Sequence, residues 1–278
     1  MKTWLALAAA LLMGGTAVAQ QAAPAAAPAK VTLTRLDCGR SAQPRDLAAF
    51  NDSYAMDGFK KALVASCYLI RHGDEYLLWD TGYPVAARDN PQSGLLMPRT
   101  VVEQLRTLGV DPARVGRVGI SHYHGDHTGQ ATQFPTARLL IGSGDLFALK
   151  ASPPPGGAAP SHLQPWLDGS AQVEALREDR DVFGDGRVII LMTPGHTPGH
   201  SALLVKLATG PVILAGDLWF SHADALRGSM PDFNTSRAET IASRDRISRL
   251  AEKLDAVIIL QHAPSDVAKL PPFPQPAT

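Results

Sequence analysis

Short apolar runs, broken by glycine, proline and small polar clusters, mark out the β-structure of this chain. Val31–Leu36, Leu63–Ile70 and Glu75–Asp80 read as three successive strands, with His72-Gly73-Asp74 as a hairpin turn. Arg117–Ser121 and Ala137–Ile141 are shorter strands. Val188–Met192, Ser201–Leu207 and Pro211–Ala215 are three more, and Ala256–Leu260 is the last. Other stretches read as helices. Thr100-Val101-Val102-Glu103 has capping-box spacing and opens a helix that Gly109 closes. Gly144–Lys150 is a second helix, and Ser236-Arg237-Ala238-Glu239 starts a third that runs to about Leu254. Strands, helix, strand, helix, strands, helix, strand is the order of an α/β fold in which two β-rich layers are covered by outer helices.

Two stretches lack this patterning. Gly39–Lys61 is a loop carrying Phe50, Tyr54, Met56 and Phe59, which either pack beneath it or line an entrance to a site. Ala151–Gly169 is rich in proline and glycine, and reads as an excursion from one domain rather than a linker between two. The N-terminus is patterned differently again. Lys2, the apolar run Leu5–Met13 and Ala17-Val18-Ala19 have the order of a secretory signal with cleavage after Ala19. That run is too short to span a bilayer, so no membrane span is expected in the mature protein. The division expected is a leader at 1–19, a flexible Ala/Pro lead-in at 20–29 and one domain at 30–278, with a periplasmic or secreted location.

Formal net charge is zero, from 26 Lys and Arg against 26 Asp and Glu. There is no basic block and aromatics are few, which argues against a nucleic-acid partner and toward a small neutral substrate. Of the two cysteines, Cys67 lies in an apolar run where a buried free thiol is ordinary, and that reading is favoured over a Cys38–Cys67 bridge.

The chemistry concentrates in Ser121-His122-Tyr123-His124-Gly125-Asp126-His127-Thr128-Gly129. Buried imidazoles and carboxylates without partners cost free energy, and one or two metal ions would satisfy them. Imidazole with carboxylate suits zinc, and also manganese, cobalt or iron. Three further candidates sit at the ends of β-runs: His196 after Thr193-Pro194-Gly195, Asp217 after Gly216, and His262 after Gln261. A ligand at each strand end lets two sheet edges converge on one point.

These residues resemble the metallo-β-lactamase superfamily. The resemblance rests on His122-x-His124-x-Asp126-His127, Thr193-Pro194-Gly195-His196-Thr197-Pro198-Gly199-His200, Gly216-Asp217 and His262, with Asp80 in Trp79-Asp80-Thr81-Gly82. It implies an αββα sandwich, two mixed sheets flanked by helices, with a two-metal site at one edge. One ion would take His122, His124 and His196, the other Asp126, His127 and His262, with Asp217 between them. Asp80 and His200 would stand behind these ligands. A bridging hydroxide would attack a carbonyl, Asp126 passing its proton toward the leaving group.

Within the superfamily the flanking sequence is most similar to the N-acyl-homoserine lactonase group. Leu36-Asp37-Cys38-Gly39, Cys67-Tyr68-Leu69-Ile70 and Asp80-Thr81-Gly82-Tyr83-Pro84 carry that similarity. It implies hydrolysis of the lactone ring of quorum-sensing signals. The departure is Phe220, expected to contact substrate, where such lactonases often hold a tyrosine; Tyr123 is a candidate to replace that hydroxyl. The rivals are a β-lactamase, a phosphotriesterase or arylesterase of the same fold, and a non-catalytic metal-binding scaffold. Oligomeric state is left open, a homodimer included. So is the role of Ala151–Gly169, as lid, dimer contact or neither. Of the remaining histidines, His72 is expected in a turn and His222 facing solvent.

Overall fold

The computed structural model describes residues 29–278. The predicted leader, and the lead-in up to residue 28, lie outside the described residues. In chain order the strands are β1 (Val31–Ser41), β2 (Arg45–Asp46), β3 (Lys60–Lys61), β4 (Val64–His72), β5 (Glu75–Trp79), β6 (Leu95–Leu96), β7 (Arg117–Ile120), β8 (Arg138–Gly142) and β9 (Val173–Leu176). The second half adds β10 (Arg180–Asp181), β11 (Val188–Met192), β12 (Ser201–Leu207), β13 (Gly210–Leu214) and β14 (Val257–Ile259). The helices are α1 (Val85–Arg88), α2 (Val101–Thr107), α3 (Gly125–Thr128), α4 (Ser143–Leu149), α5 (Gln164–Leu167), α6 (His222–Arg227) and α7 (Arg237–Leu254).

One sheet has the order β6-β1-β4-β5-β7-β8-β9 and the other β10-β11-β12-β13-β14. Both are mixed: β1, β4 and β5 run antiparallel, while β5, β7, β8 and β9 run parallel. In the smaller sheet only the β13–β14 pair is parallel. Side chains alternate across each strand, so a buried strand feeds two different cores. Leu77 and Trp79 of β5 pack inward with Leu33, Ile70, Ile190 and Leu203, between the sheets. Leu78, from the same strand, packs outward with Val101 and Leu105 of α2. On the far side, Ile213 and Leu204 meet Ile247 and Ala251 of α7. Helix, sheet, sheet, helix is thus the αββα layering.

Both capping spacings act as helix starts. Thr100 and Glu103 exchange reciprocal side-chain and backbone hydrogen bonds, and Ser236 Oγ accepts from Glu239 N–H. Among the described residues no helix is long and apolar enough to cross a membrane.

Two expectations are corrected. Cys38 and Cys67 form a disulfide, with Cα atoms 5.8 Å apart, rather than buried free thiols. Strand β1 runs on past Leu36 to Ser41, and a register shift between Asp37 and Arg40 turns Cys38 toward its partner on β4. His72 is not a turn residue. It ends β4, is nearly buried, pairs with Asp185 at 2.7 Å and stacks on Phe183. His222, by contrast, is half exposed and bound to Asp266 at 2.6 Å.

Candidate metal centre

Each candidate ligand leaves the C-terminal end of a strand. Strand β7 stops at Ile120, and the next residues deliver His122 and His124 before one helical turn, α3, presents Asp126 and His127. His196 follows β11, Asp217 follows β13 and His262 follows β14. Because the two sheets stack face to face, these four ends meet at one edge.

The meeting is tight. His122 Nε2 lies 2.9 Å from His124 Nδ1, which is 3.1 Å from His196 Nε2. Asp217 Oδ2 is 3.7 Å from His122 Nε2 and 3.5 Å from His196 Nε2. Its other oxygen, Oδ1, is 3.3 Å from His127 Nε2 and 3.1 Å from His262 Nε2. Asp126 completes this second set, 3.7 Å from His262 Nε2. The structure therefore brings all seven residues into two adjoining groups with the Asp217 carboxylate between them.

Partners behind the rings fix which nitrogen is free. His127 Nδ1 donates to Asp80 Oδ2 at 2.9 Å, His196 Nδ1 to Asn234 Oδ1 at 2.8 Å and His262 Nδ1 to the Val64 carbonyl at 2.7 Å. Ser121 Oγ donates to Asp80 and accepts from His122 Nδ1. Each of these Nε2 atoms is left facing inward, the atom that would bind an ion once it carries no proton. His127 Nε2, His262 Nε2 and Asp217 Oδ1 are buried with no hydrogen-bond partner among the described residues. Polar atoms buried in this way without partners are costly, and a divalent cation held by His127, His262 and Asp217 would relieve all three. The donor set, imidazole with carboxylate, fits such ions.

The two sets differ electrostatically. Burial holds the His122 and His124 pKa values below their ordinary range, and that of His196 at about 3, so these rings are neutral. Burial acts the same way on His127 and His262, but Asp217 outweighs it, aided by Asp80 and Asp126 at His127, and raises both. Burial would raise the Asp217 carboxyl; His262, His127 and His122 hold it well below the usual range.

Asp80 and His200 both stand behind the ligands. His200 Nε2 accepts the Asp217 N–H at 3.0 Å and its Nδ1 donates to the Thr193 carbonyl. Gly216 makes this approach possible: it has φ +55°, and a Cβ there would sit 2.6 Å from His200 Nε2. Phe220 stacks on His262 and on Phe50, with centroids 5.3 and 4.7 Å apart. Both phenyl rings line a cavity of about 490 Å³ together with Tyr83, Asp126 and His162. A second cavity, of about 550 Å³, lies on the other side of Asp126 against Tyr123, His124 and Phe233. Tyr123 is buried and faces that second cavity rather than Phe220. In the Gly39–Lys61 loop, Met56 packs beneath with Leu47, Phe50 lines the cavity, and Tyr54 and Phe59 are exposed.

The model of the metallo-beta-lactamase superfamily matches residues 61–262. The chain belongs to that superfamily. As a superfamily member it is a metal-dependent hydrolase. It is 32% identical over 183 residues to the N-acyl homoserine lactonase AttM of Rhizobium radiobacter, a match covering 63% of this chain and 68% of the relative. To an N-acyl homoserine lactonase of a Bacillus species it is 24% identical over 209 residues, covering 70% and 80%. Among solved structures, an N-acyl homoserine lactone hydrolase holding N-hexanoyl-L-homoserine at its catalytic metal centre superposes with a TM-score of 0.76 at 21% identity, over 90% of this chain and 100% of that one. That likeness establishes the metallo-beta-lactamase fold.

Sequence reasoning missed several residues at this superfamily member's centre. Asp145, buried after β8, accepts from Tyr123 N–H, Thr197 Oγ1–H and Gly199 N–H, and so ties the loop of His122 to that of His196. It follows a strand end as the ligands do, a signal that was available. Tyr83 stands in the Asp80-Thr81-Gly82-Tyr83-Pro84 stretch just past β5, with no role assigned to it there, whereas Asn234, His162 and Phe233 carry no comparable local mark.

Proposed function

We propose that this protein is an exported two-metal hydrolase that opens the lactone ring of N-acyl homoserine lactones. The observation that carries the reading is the split of the Asp217 carboxylate between two buried ligand sets beside an apolar, aromatic-walled cavity. Two divalent ions, zinc first among them, supply an activated water and polarise the ring carbonyl when bound. The chain's own residues do the rest. Asp217 holds the sets together, and His200 and Asp80 hold Asp217 and His127 in place. Asp126 and His262 are the ligands that line the cavity, and Asp126, 26% exposed against 3% for His262, carries a proton toward the ring oxygen as the acyl C–O bond breaks. Phe50, Phe220, Leu63 and Leu95 wall the space for an acyl chain.

Phe220 has no hydroxyl, and Tyr83 supplies one from the opposite wall. Burial, with Asp126 and Asp217 nearby, raises the Tyr83 pKa above its ordinary value despite Arg45, so it remains a donor for a substrate carbonyl. The Cys38–Cys67 bridge supports export, because disulfides persist in oxidising compartments. A phosphotriesterase of the same fold is the second reading, since two divalent ions held in this way would serve phosphoester hydrolysis as well. The test is a side-by-side assay of N-acyl homoserine lactones, an aryl phosphotriester and a chromogenic cephalosporin. Lactone turnover is expected to dominate; cephalosporin or phosphotriester turnover far above it would overturn the reading.

A further inference from the structure

The proline- and glycine-rich segment Ala151–Gly169 is joined to the ligand loop. Gly125 N–H donates to the Gly157 carbonyl at 3.0 Å, and Ala158 bridges His124 in antiparallel fashion. Missing side chains allow this approach. Gly157 has φ +77°, and a Cβ on it would stand 2.5 Å from His124 Cδ2. On the other side, a Cβ on Gly125 would already be 3.6 Å from His162 Cε1, so any larger side chain at 125 would crowd that ring. The short helical turn Pro160–Leu163 is thereby held over the metal centre, and His162 lines the 490 Å³ cavity beside Asp126.

Its tautomer follows from the hydrogen bonds. Thr128 Oγ1 donates to the His124 carbonyl at 3.2 Å, so its oxygen accepts from His162 Nδ1–H at 3.0 Å. The lone pair is then on Nε2, which has no partner among the described residues. Burial holds the imidazole pKa below its ordinary value, which keeps the ring a neutral acceptor. The other polar groups on this cavity have different duties. Tyr83 and Arg45 are donors, Asp126 and His262 face the ligand sets, and the Ser41 and Ser93 hydroxyls accept from the backbone N–H groups of Leu63 and Leu95.

We propose that His162 Nε2 accepts a hydrogen bond from an N–H of the substrate, and so selects lactones bearing an amide over lactones without one. This rests on the lactonase reading of the site. An amide N–H that leaves water needs an acceptor, and a pocket built to provide one discriminates strongly against molecules lacking the complementary group.

The experiment compares zinc-loaded unaltered protein with His162→Phe, which keeps an aromatic ring over Gly125, and His162→Gln, which restores an acceptor. The probes are N-hexanoyl homoserine lactone and a γ-lactone bearing an alkyl chain of similar length and no amide. His162→Phe is expected to lower kcat/KM about tenfold or more on the amide-bearing lactone and less than about threefold on the plain one. His162→Gln is expected to recover most of that loss. Equal losses on both probes, or none on either, would overturn the role of His162 while leaving lactonase activity standing. Turnover of neither probe by the unaltered protein would overturn the lactonase reading and this proposal with it.

Discussion

Asp80→Asn separates the support of the second ligand set from everything else in the fold. The Asp80 carboxylate accepts three hydrogen bonds: Ser121 N–H on Oδ1 at 2.7 Å, and Ser121 Oγ–H and His127 Nδ1–H on Oδ2, both at 2.9 Å. Asparagine has the same shape but one acceptor oxygen. If that oxygen stays on Ser121 N–H, an amide NH₂ faces His127 Nδ1–H; if the amide flips, NH₂ faces Ser121 N–H. Neither orientation satisfies both donors, and a buried donor left unpaired costs about 1–3 kcal/mol. The imidazole escapes by giving up the Nδ1 proton and keeping the one on Nε2, the atom that faces Asp217 and would bind the second ion. Loss of such a carboxylate–histidine support weakens metal binding by about 10–100-fold, or about 1.4–2.7 kcal/mol. The assay titrates metal-free protein with Zn²⁺ in competition with a chromogenic chelator. The expected result is one equivalent bound as in the unaltered protein and a second weakened by that factor. Asp185→Asn is the control, since Asp185 holds His72 in the same chemistry at the opposite edge of the sheets, and it should change neither. Two equivalents retained within about threefold in Asp80→Asn would refute the assigned tautomer of His127.

The Cys38–Cys67 bridge closes a loop with a sequence separation of 29, for which the loop-entropy relation gives about 3.6 kcal/mol. Reduction should lower Tm by about 7–14 °C, and a shift under about 2 °C would show that the bridge constrains little. Zinc affinity should depend on pH differently at the two sets. In the metal-free protein Asp217 keeps protons on His127 and His262 above the usual imidazole range, so an ion there must displace them, and affinity falls as pH drops through neutrality. Burial lowers the pKa values of His122, His124 and His196, so affinity at their set should fall less steeply with pH. Equal pH slopes in isothermal titrations would contradict this. Tyr83→Phe should lower kcat/KM on a lactone about tenfold, ~1.4 kcal/mol, with metal content unchanged; full activity would remove Tyr83 from the substrate site.

What the sequence makes legible here is what local spacing encodes. His122, His124, Asp126 and His127 need only a strand end and one helical turn to face inward, and Thr100 and Ser236 cap helices through residues three positions on. The disulfide was not legible because it depends on the register shift between Asp37 and Arg40, which is set by pairing across β1 and β4. His72 depends in the same way on Asp185, 113 residues away. His162 is placed by glycines at 125 and 157 whose meaning appears only when the two backbones touch. Strands β9 and β10, at the edges of the two sheets, are not legible because they are short and half exposed, with no apolar run to announce them.

The central claim, a two-metal centre that hydrolyses lactones, is tested most directly by adding Zn²⁺ in steps to metal-free protein while measuring N-acyl homoserine lactone turnover in the same samples. The arrangement of His122, His124 and His196 on one side of Asp217, and of Asp126, His127 and His262 on the other, predicts that turnover reaches its plateau at two equivalents per chain. A plateau at one equivalent, or turnover by the metal-free protein, would contradict it.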